Sequence, residues 1–480
     1  MTTILARRDD VSPCLRVFIP GLAEWLGWGI RGQIGHECGA MIPGSLVGLS
    51  LALTASDREI RRRAGLLGAV GAMGTSFGGT ETYGQTIGLT MNETRDTTYW
   101  WGLLGLAVKG GAWIGLSGTY LGMAAGDRDY TPTELLWLTG AMTALWHLGV
   151  ETVNRPHEPP DRLPSIYFSG RAGQGPPRPE VWAGQWLALL GLLGYVTLVK
   201  GDRAAAIMGA YGILGGAAGF SGGQAIQAWG RKAYSEKREG LHRYLDWWKV
   251  METTFGFIAG AYLGAGMMMA EGATRPLPPR REVSALQTTI GRAAGSYALL
   301  EHWQDKPWTV HAMDSMIIGN AAIANAFGCD YSAWNEALPL VLGYTTKDTV
   351  AYYRHEAGLD AAVPAVTKWV AITAAGMAAL SPALERLQRN GSRWAAAIGL
   401  LLAAWGQTTL THVKMLMDRE MLELDDKGCA KALPAREFVR RLATGSKKRK
   451  PGQFGTETAF TVAAVLLTGL VVYVLGKRGK

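Results

Sequence analysis

Glycines recur four residues apart inside apolar runs: Gly35/Gly39, Gly44/Gly48, Gly74/Gly78, Gly118/Gly122, Gly212/Gly216, Gly219/Gly223, Gly256/Gly260 and Gly260/Gly264. That spacing puts the bare positions on one helix face, where they let a second helix come within backbone contact. In a water-exposed helix each such glycine costs about 1 kcal/mol relative to alanine. A chain that places 64 glycines in 480 residues this way is read as close-packed helices in a setting that tolerates them. The remaining composition agrees: 48% of residues are hydrophobic, 18% are charged and 18 are tryptophan. Soluble domains carry about 25% charge, and tryptophan gathers at membrane interfaces. The mean hydropathy of +0.06 calls for sizeable polar loops between the apolar runs.

The expected fold class is therefore all-α: a polytopic helical membrane protein of roughly ten to twelve spans by window hydropathy. The expected localisation is an integral, cytoplasmic (inner) membrane. The net charge of +9 suits a bilayer with anionic headgroups as partner. No nucleic-acid-binding motif accompanies it, so nucleic acid is not expected. Oligomerisation is left open. Arg7 and Arg8 precede an apolar segment, but Glu24 and Arg31 follow where a small-residue cleavage site would stand, so no cleavable signal is expected. The four cysteines (Cys14, Cys38, Cys329, Cys429) are far apart and show no CxxC, so neither a disulfide framework nor a metal site is read from them. No cofactor is implied.

Organisation follows the runs. Residues 1–292 form a Gly-rich membrane core, 293–413 a second and partly amphipathic membrane region, 414–455 a charged cytoplasmic segment ending in KKRK, and 456–480 a C-terminal transmembrane helix. Leu15–Gly29 and Cys38–Leu53 are short and contain Pro20 and Pro43, which predicts broken or re-entrant helices lining a protein cavity. The basic loops 58–63 and 231–243 fall on opposite sides in the simplest count of spans. There is also an internal echo. GAVGAMG (68–74) matches GAYGILG (209–215), SGTYLG (117–122) matches AGAYLG (259–264), and SFGG (76–79) resembles FSGG (220–223). It predicts a parallel repeat relating 64–126 to 205–270.

The stretch GWGIRGQIGHECGAMIPGSLVGLSLAL (27–53) sets Arg31, His36 and Glu37 among glycines, with Glu24 just upstream. Charged groups in an apolar setting are costly unless paired or functional. Glu24 and Arg31, seven residues apart, share a helix face and would pair through a bridging group. Arg31 has the planar fork that suits carboxylate or phosphate. His36 titrates near neutral pH. Glu81, beyond Gly78–Gly79, and Glu252, in WWKVMETTFG, are further carboxylates suited to proton coupling. His147 and Glu151, Gln224, and the His311/Asp314 pair are secondary candidates. GWGIRG matches GxGxxG but lacks the strand–turn–helix context of a dinucleotide site. No local Ser-His-Asp or metal triad can be assembled, and no catalytic residue is assigned.

These residues predict a secondary transporter, proton-coupled, for a small polar or anionic solute. Arg31 would bind the solute and a carboxylate or His36 would carry the proton. Two alternatives stand beside it. One is an intramembrane enzyme acting on a lipid or lipid-linked substrate, with His36 or Glu37 as general base. The other is a structural or assembly subunit in which the polar residues only hold helices together.

Overall fold

Small residues at four-residue spacing do draw the helices together, and they close them into a ring. The computed structural model describes residues 11–34, 36–81, 83–91, 96–159, 161–169, 177–234, 244–271, 308–328, 333–334, 337, 379–420, 422–424, 430–432 and 453–476. Six helices make the ring: α1 (Pro13–Ile34), α2 (His36–Thr54), α4 (Ala64–Ser76), α6 (Asp96–Ala125), α9 (Arg203–Tyr234) and α10 (Trp247–Glu271). Each touches the next in that order, and α10 returns to α1. The short helix α3 (Arg58–Arg61) links α2 to α4. A 3-10 turn (Phe77–Thr80) and a short helix α5 (Gly84–Thr90) lie between α4 and α6.

The ring is thus three helix hairpins, α1/α2, α4/α6 and α9/α10, and the same contact recurs inside each. A Cβ on Gly27 would meet Pro43 Cα, one on Gly74 would meet Ser117 Cα, and one on Gly215 would meet Ala259 Cα. Between hairpins the second helix of each lies on the first helix of the next. Gly44 and Gly48 face the Gly71 and Leu67 carbonyls, and Gly118 and Gly122 face those of Met208 and Ala204. Gly260 and Gly264 face those of Pro20 and Arg16. Gly118→Leu and Gly260→Leu should each lower stability by about 1–3 kcal/mol, the usual cost of overpacking, read as melting temperature in detergent. Unchanged melting in both would mean these contacts do not form.

The turns within the hairpins gather at one end of the ring. There Arg31 bonds to Tyr83, Tyr83 packs on Phe220, and Gly32 lies against Lys249 and Glu252. At the opposite end Arg16 pairs with Glu271 and donates to Ser56 Oγ at 3.1 Å. Arg63 there donates to the Ala124 and Gly126 carbonyls at 3.0 Å. Asp202, at the start of α9, accepts from Tyr130 Oη at 2.8 Å and the Ala205 N–H at 2.9 Å. Burial raises the pKa of its carboxyl above the ordinary value, against those two bonds. The 58–63 segment and the C-terminus of α9 lie at opposite ends of the ring.

Further helices clad the ring. α7 (Pro132–Val153) begins with a Thr131/Glu134 capping box and Pro132 in its first turn, the arrangement that satisfies orphan N–H groups at a helix start. α8 (Trp182–Gly194) continues through a π turn, Tyr195–Val199. α11 (Trp308–Gly328) packs on α7 and α4. α12 (Arg393–Glu420) packs on α2, and α13 (Gln453–Gly476) packs on α12 and α1. A helical stretch also covers 379–389. Two three-residue strands, Leu422–Leu424 and Ala430–Ala432, pair antiparallel.

Three expectations are revised. Pro20 and Pro43 do not break their segments: α1 and α2 run on as helices of 22 and 19 residues with the prolines inside. The Arg16 carbonyl, which Pro20 has no N–H to satisfy, faces bare Gly264. The interruption falls instead at Phe77–Thr80, where α4 gives way to the 3-10 turn. The boundary at 413/414 is crossed by α12, which continues to Glu420. Among the described residues, four helices are long and apolar enough to cross a membrane: Trp182–Val199, Arg203–Lys232, Trp247–Glu271 and Gly455–Gly476. The window count of ten to twelve is higher because it also took in the apolar parts of α1, α2, α4, α6, α7, α11 and α12, which are not among these four, and 362–378, which lies outside the described residues.

Candidate functional site

At the turn end of the ring, four helices and one link place aromatic side chains together. Trp28 (α1) lies 4.9 Å from Trp113 (α6) and 4.4 Å from Phe255 (α10), centroid to centroid. Phe220 (α9) stacks on Phe255 at 4.7 Å. Tyr83, in the link before α5, completes the group at 5.4 Å from Phe220. Gly78 makes room for Trp113, whose indole N–H donates to the Thr75 carbonyl at 2.6 Å.

Arg31 is buried against this cluster. Its guanidinium carbon lies 5.1 Å from the Tyr83 ring centre, 5.4 Å from Trp113 and 5.6 Å from Trp28. Cation–π contacts of this kind are worth about 2 kcal/mol when desolvated. One N–H donates to Tyr83 Oη, and Nε has no hydrogen-bond partner. No carboxylate forms an ion pair with Arg31 among the described residues. Glu24 does not reach it directly. Its Oε2 accepts from the Trp28 indole at 3.2 Å while Oε1 is unpartnered, so Trp28 stands between the two charges as the bridge.

Glu252 is already occupied. It accepts from Lys249 Nζ at 2.6 Å and from the Trp248 indole at 2.9 Å. Gly32 allows this pair to approach α1, since a Cβ there would strike both charged groups. Lys249 and Glu252 pair with each other, so among the described residues this pair supplies no counter-charge to Arg31. Gln224 sits near the same end, wholly buried, donating to Thr90 Oγ1 at 2.6 Å with its own Oε1 unpartnered. Gln227, one turn on, is buried with neither amide atom bonded.

A second polar group lies on the α5–α6–α8 side. Lys109, wholly buried in α6, pairs with Glu180 at 2.8 Å and donates to Thr86 Oγ1 at 3.0 Å. Glu180 also accepts from the Phe168 N–H at 3.1 Å and Ser169 Oγ at 2.9 Å. Glu81 is buried nearby, and neither of its oxygens has a partner. Gln185 of α8 donates to the Phe77 carbonyl at 3.0 Å and leaves its Oε1 unpartnered.

The structure thus brings Arg31, Glu252, Gln224 and Glu81 to the same end of the ring, with Glu24 two turns deeper. It leaves His147 and Glu151 apart: both are exposed on α7, and Glu151 lies 3.6 Å from Arg155. Their i, i+4 spacing marks a solvent- or lipid-facing stripe, because α7 buries its other face. His36 and Glu37 open α2, and His311 and Asp314 lie in α11, but all four side chains are outside the described residues. Sequence reasoning missed Tyr83, Trp113, Lys109, Glu180, Gln185 and Lys249. Lys109, a lone lysine in GLAVKGGAWIG, was the one visible signal among them.

Comparison with protein-family models, with curated proteins and with solved structures finds no match to this chain.

Proposed function

We propose that the protein is a polytopic membrane transporter that binds a small anionic solute at Arg31. The observation that carries this reading is a buried guanidinium held by aromatic faces and one neutral hydroxyl, with no paired carboxylate among the described residues. A structural arginine at such burial is normally given a counter-charge, because an unpaired buried ion costs several kcal/mol. A solute carboxylate or phosphate would supply that charge and suit the guanidinium fork. Membrane embedding is supported by exposed tryptophans at both ends of the bundle. Trp100 and Trp229 are 68% and 63% exposed at the turn end, and Trp137 and Trp394 are 79% and 51% exposed at the other. The equivalent glycine contacts support three copies of one hairpin, so that the echo between 64–126 and 205–270 extends to α1/α2. GLAEWLG (21–27) aligns with GAVGAMG and GAYGILG, and PGSLVG (43–48) with SGTYLG and AGAYLG. Internal repeats of this kind are common in transporters.

The test uses purified protein in nanodiscs with acetate, succinate, phosphate and sulfate at constant ionic strength. Tryptophan fluorescence and melting temperature are read together, since Trp28 and Trp113 flank Arg31. At least one anion should raise the melting temperature and shift the emission. Arg31→Lys should weaken that response at least tenfold and Arg31→Gln should abolish it, both with nearly wild-type melting in the absence of anion. Uptake of the radiolabelled anion into liposomes then follows the same order. Severe loss of melting temperature in Arg31→Gln, with no anion response in the wild type, would show that Arg31 only holds helices together.

A further inference from the structure

We infer that Glu81 and Gln185 form a site for a monovalent cation, a proton or Na⁺, and that the link from Glu81 to Tyr83 ties this site to Arg31. Glu81 Oε1, Glu81 Oε2 and Gln185 Oε1 are all buried without a hydrogen-bond donor. Gln185 reaches the residue before Glu81: its Nε2 lies 3.4 Å from Thr80 Oγ1. Buried polar atoms are rarely left unbonded, and unbonded acceptors on Glu81 and on the side chain that reaches its neighbour Thr80 call for a positive charge. Among the described residues the charges that face Glu81 are Lys109 and Glu180, and these two pair with each other. With Glu81 ionised, these three groups sum to one negative charge. A carboxylate and an amide oxygen suit a proton or a hard monovalent ion better than a transition metal, which prefers nitrogen and sulfur.

The connection to Arg31 is short. The Tyr83 N–H donates to the Glu81 carbonyl at 3.0 Å, and Tyr83 Oη receives the Arg31 N–H. A cation that neutralises Glu81 fixes the stretch that presents Tyr83 to the guanidinium. One negative site and one positive site on a shared link are what co-transport of an anion with a cation requires. The coupling rests on the transporter reading; the cation site does not.

The experiment uses the full chain in nanodiscs without added anionic solute. One arm replaces choline chloride by NaCl at fixed pH and ionic strength. The other varies pH in choline buffer. Melting temperature and tryptophan emission should respond to Na⁺ in the first arm if Na⁺ is the ion, or to falling pH in the second if it is the proton. Glu81→Gln should melt near the ion-bound wild type and respond to neither. Gln185→Met, which removes only the amide acceptor, should move the wild-type midpoint about tenfold in Na⁺ or one pH unit. Tyr83→Phe should keep the cation response. Absence of response in both arms of the wild type, or an undiminished response in both Glu81→Gln and Gln185→Met, overturns the site. Anion binding at Arg31 is scored separately, so either reading can fail while the other stands.

Discussion

Lys109→Met is expected to cost about 3–5 kcal/mol, the usual consequence of removing one partner from a buried ion pair. Lys109 and Glu180 are both fully buried and 2.8 Å apart. Without the ammonium, Glu180 keeps the Phe168 and Ser169 donors but carries an uncompensated charge, and Glu81 loses the neighbouring positive field. Adding Glu180→Gln to Lys109→Met should recover a large part of the loss, because an amide needs no counter-charge. Thermal unfolding of the single and double variants in detergent decides the matter. A double variant no more stable than Lys109→Met would mean that packing of the lysine stem, and not its charge, is what α6 requires.

Gly78→Ala should be nearly as damaging, at or above the upper end of the about 1–3 kcal/mol typical of overpacking. The added methyl would fall on the Trp113 ring. That ring is fixed by its bond to the Thr75 carbonyl and by Trp28, Phe220 and Phe255 around it. Gly84→Ala is the matched control. Nothing lies within 4 Å of a Cβ there, so the change should be neutral or stabilising by up to about 1 kcal/mol. The same melting assay checks both. Equal stability of the two variants would remove the close approach of the turn to Trp113.

The helical class was legible because helix contact through glycine leaves a four-residue signature that side-chain drift does not erase. Gly44/Gly48, Gly118/Gly122 and Gly260/Gly264 each face carbonyls of a neighbouring helix. The sequence echo between 64–126 and 205–270 falls on glycine positions of the same kind. In the first hairpin the contact between Gly27 and Pro43 lies amid Glu24, Trp25 and Trp28, whose size and charge dominate any reading of that stretch. The charges of the site were visible as ions in apolar runs. Their partners were not, since contact crosses long separations: Glu180 is 71 residues from Lys109, and Tyr83 is 52 from Arg31. Glu24 and Arg31 shared a face as their spacing implied, yet the group between them, Trp28, comes from the same helix. The prolines misled because a missing N–H breaks a helix only where no other packing compensates.

Ring closure also sets an order of events during synthesis. The first helix is completed by the last one of the ring, through Arg16 and Glu271, which are 255 residues apart. Until the ribosome has passed residue 271, the carbonyls of Arg16, Pro20 and Glu24 lack the glycine face of α10 that covers them. Contacts of such sequence separation form late. The newborn N-terminal hairpin, with its ionisable residues, therefore stays an unfinished wall, and it acquires its native neighbour only when more than half the chain has been made.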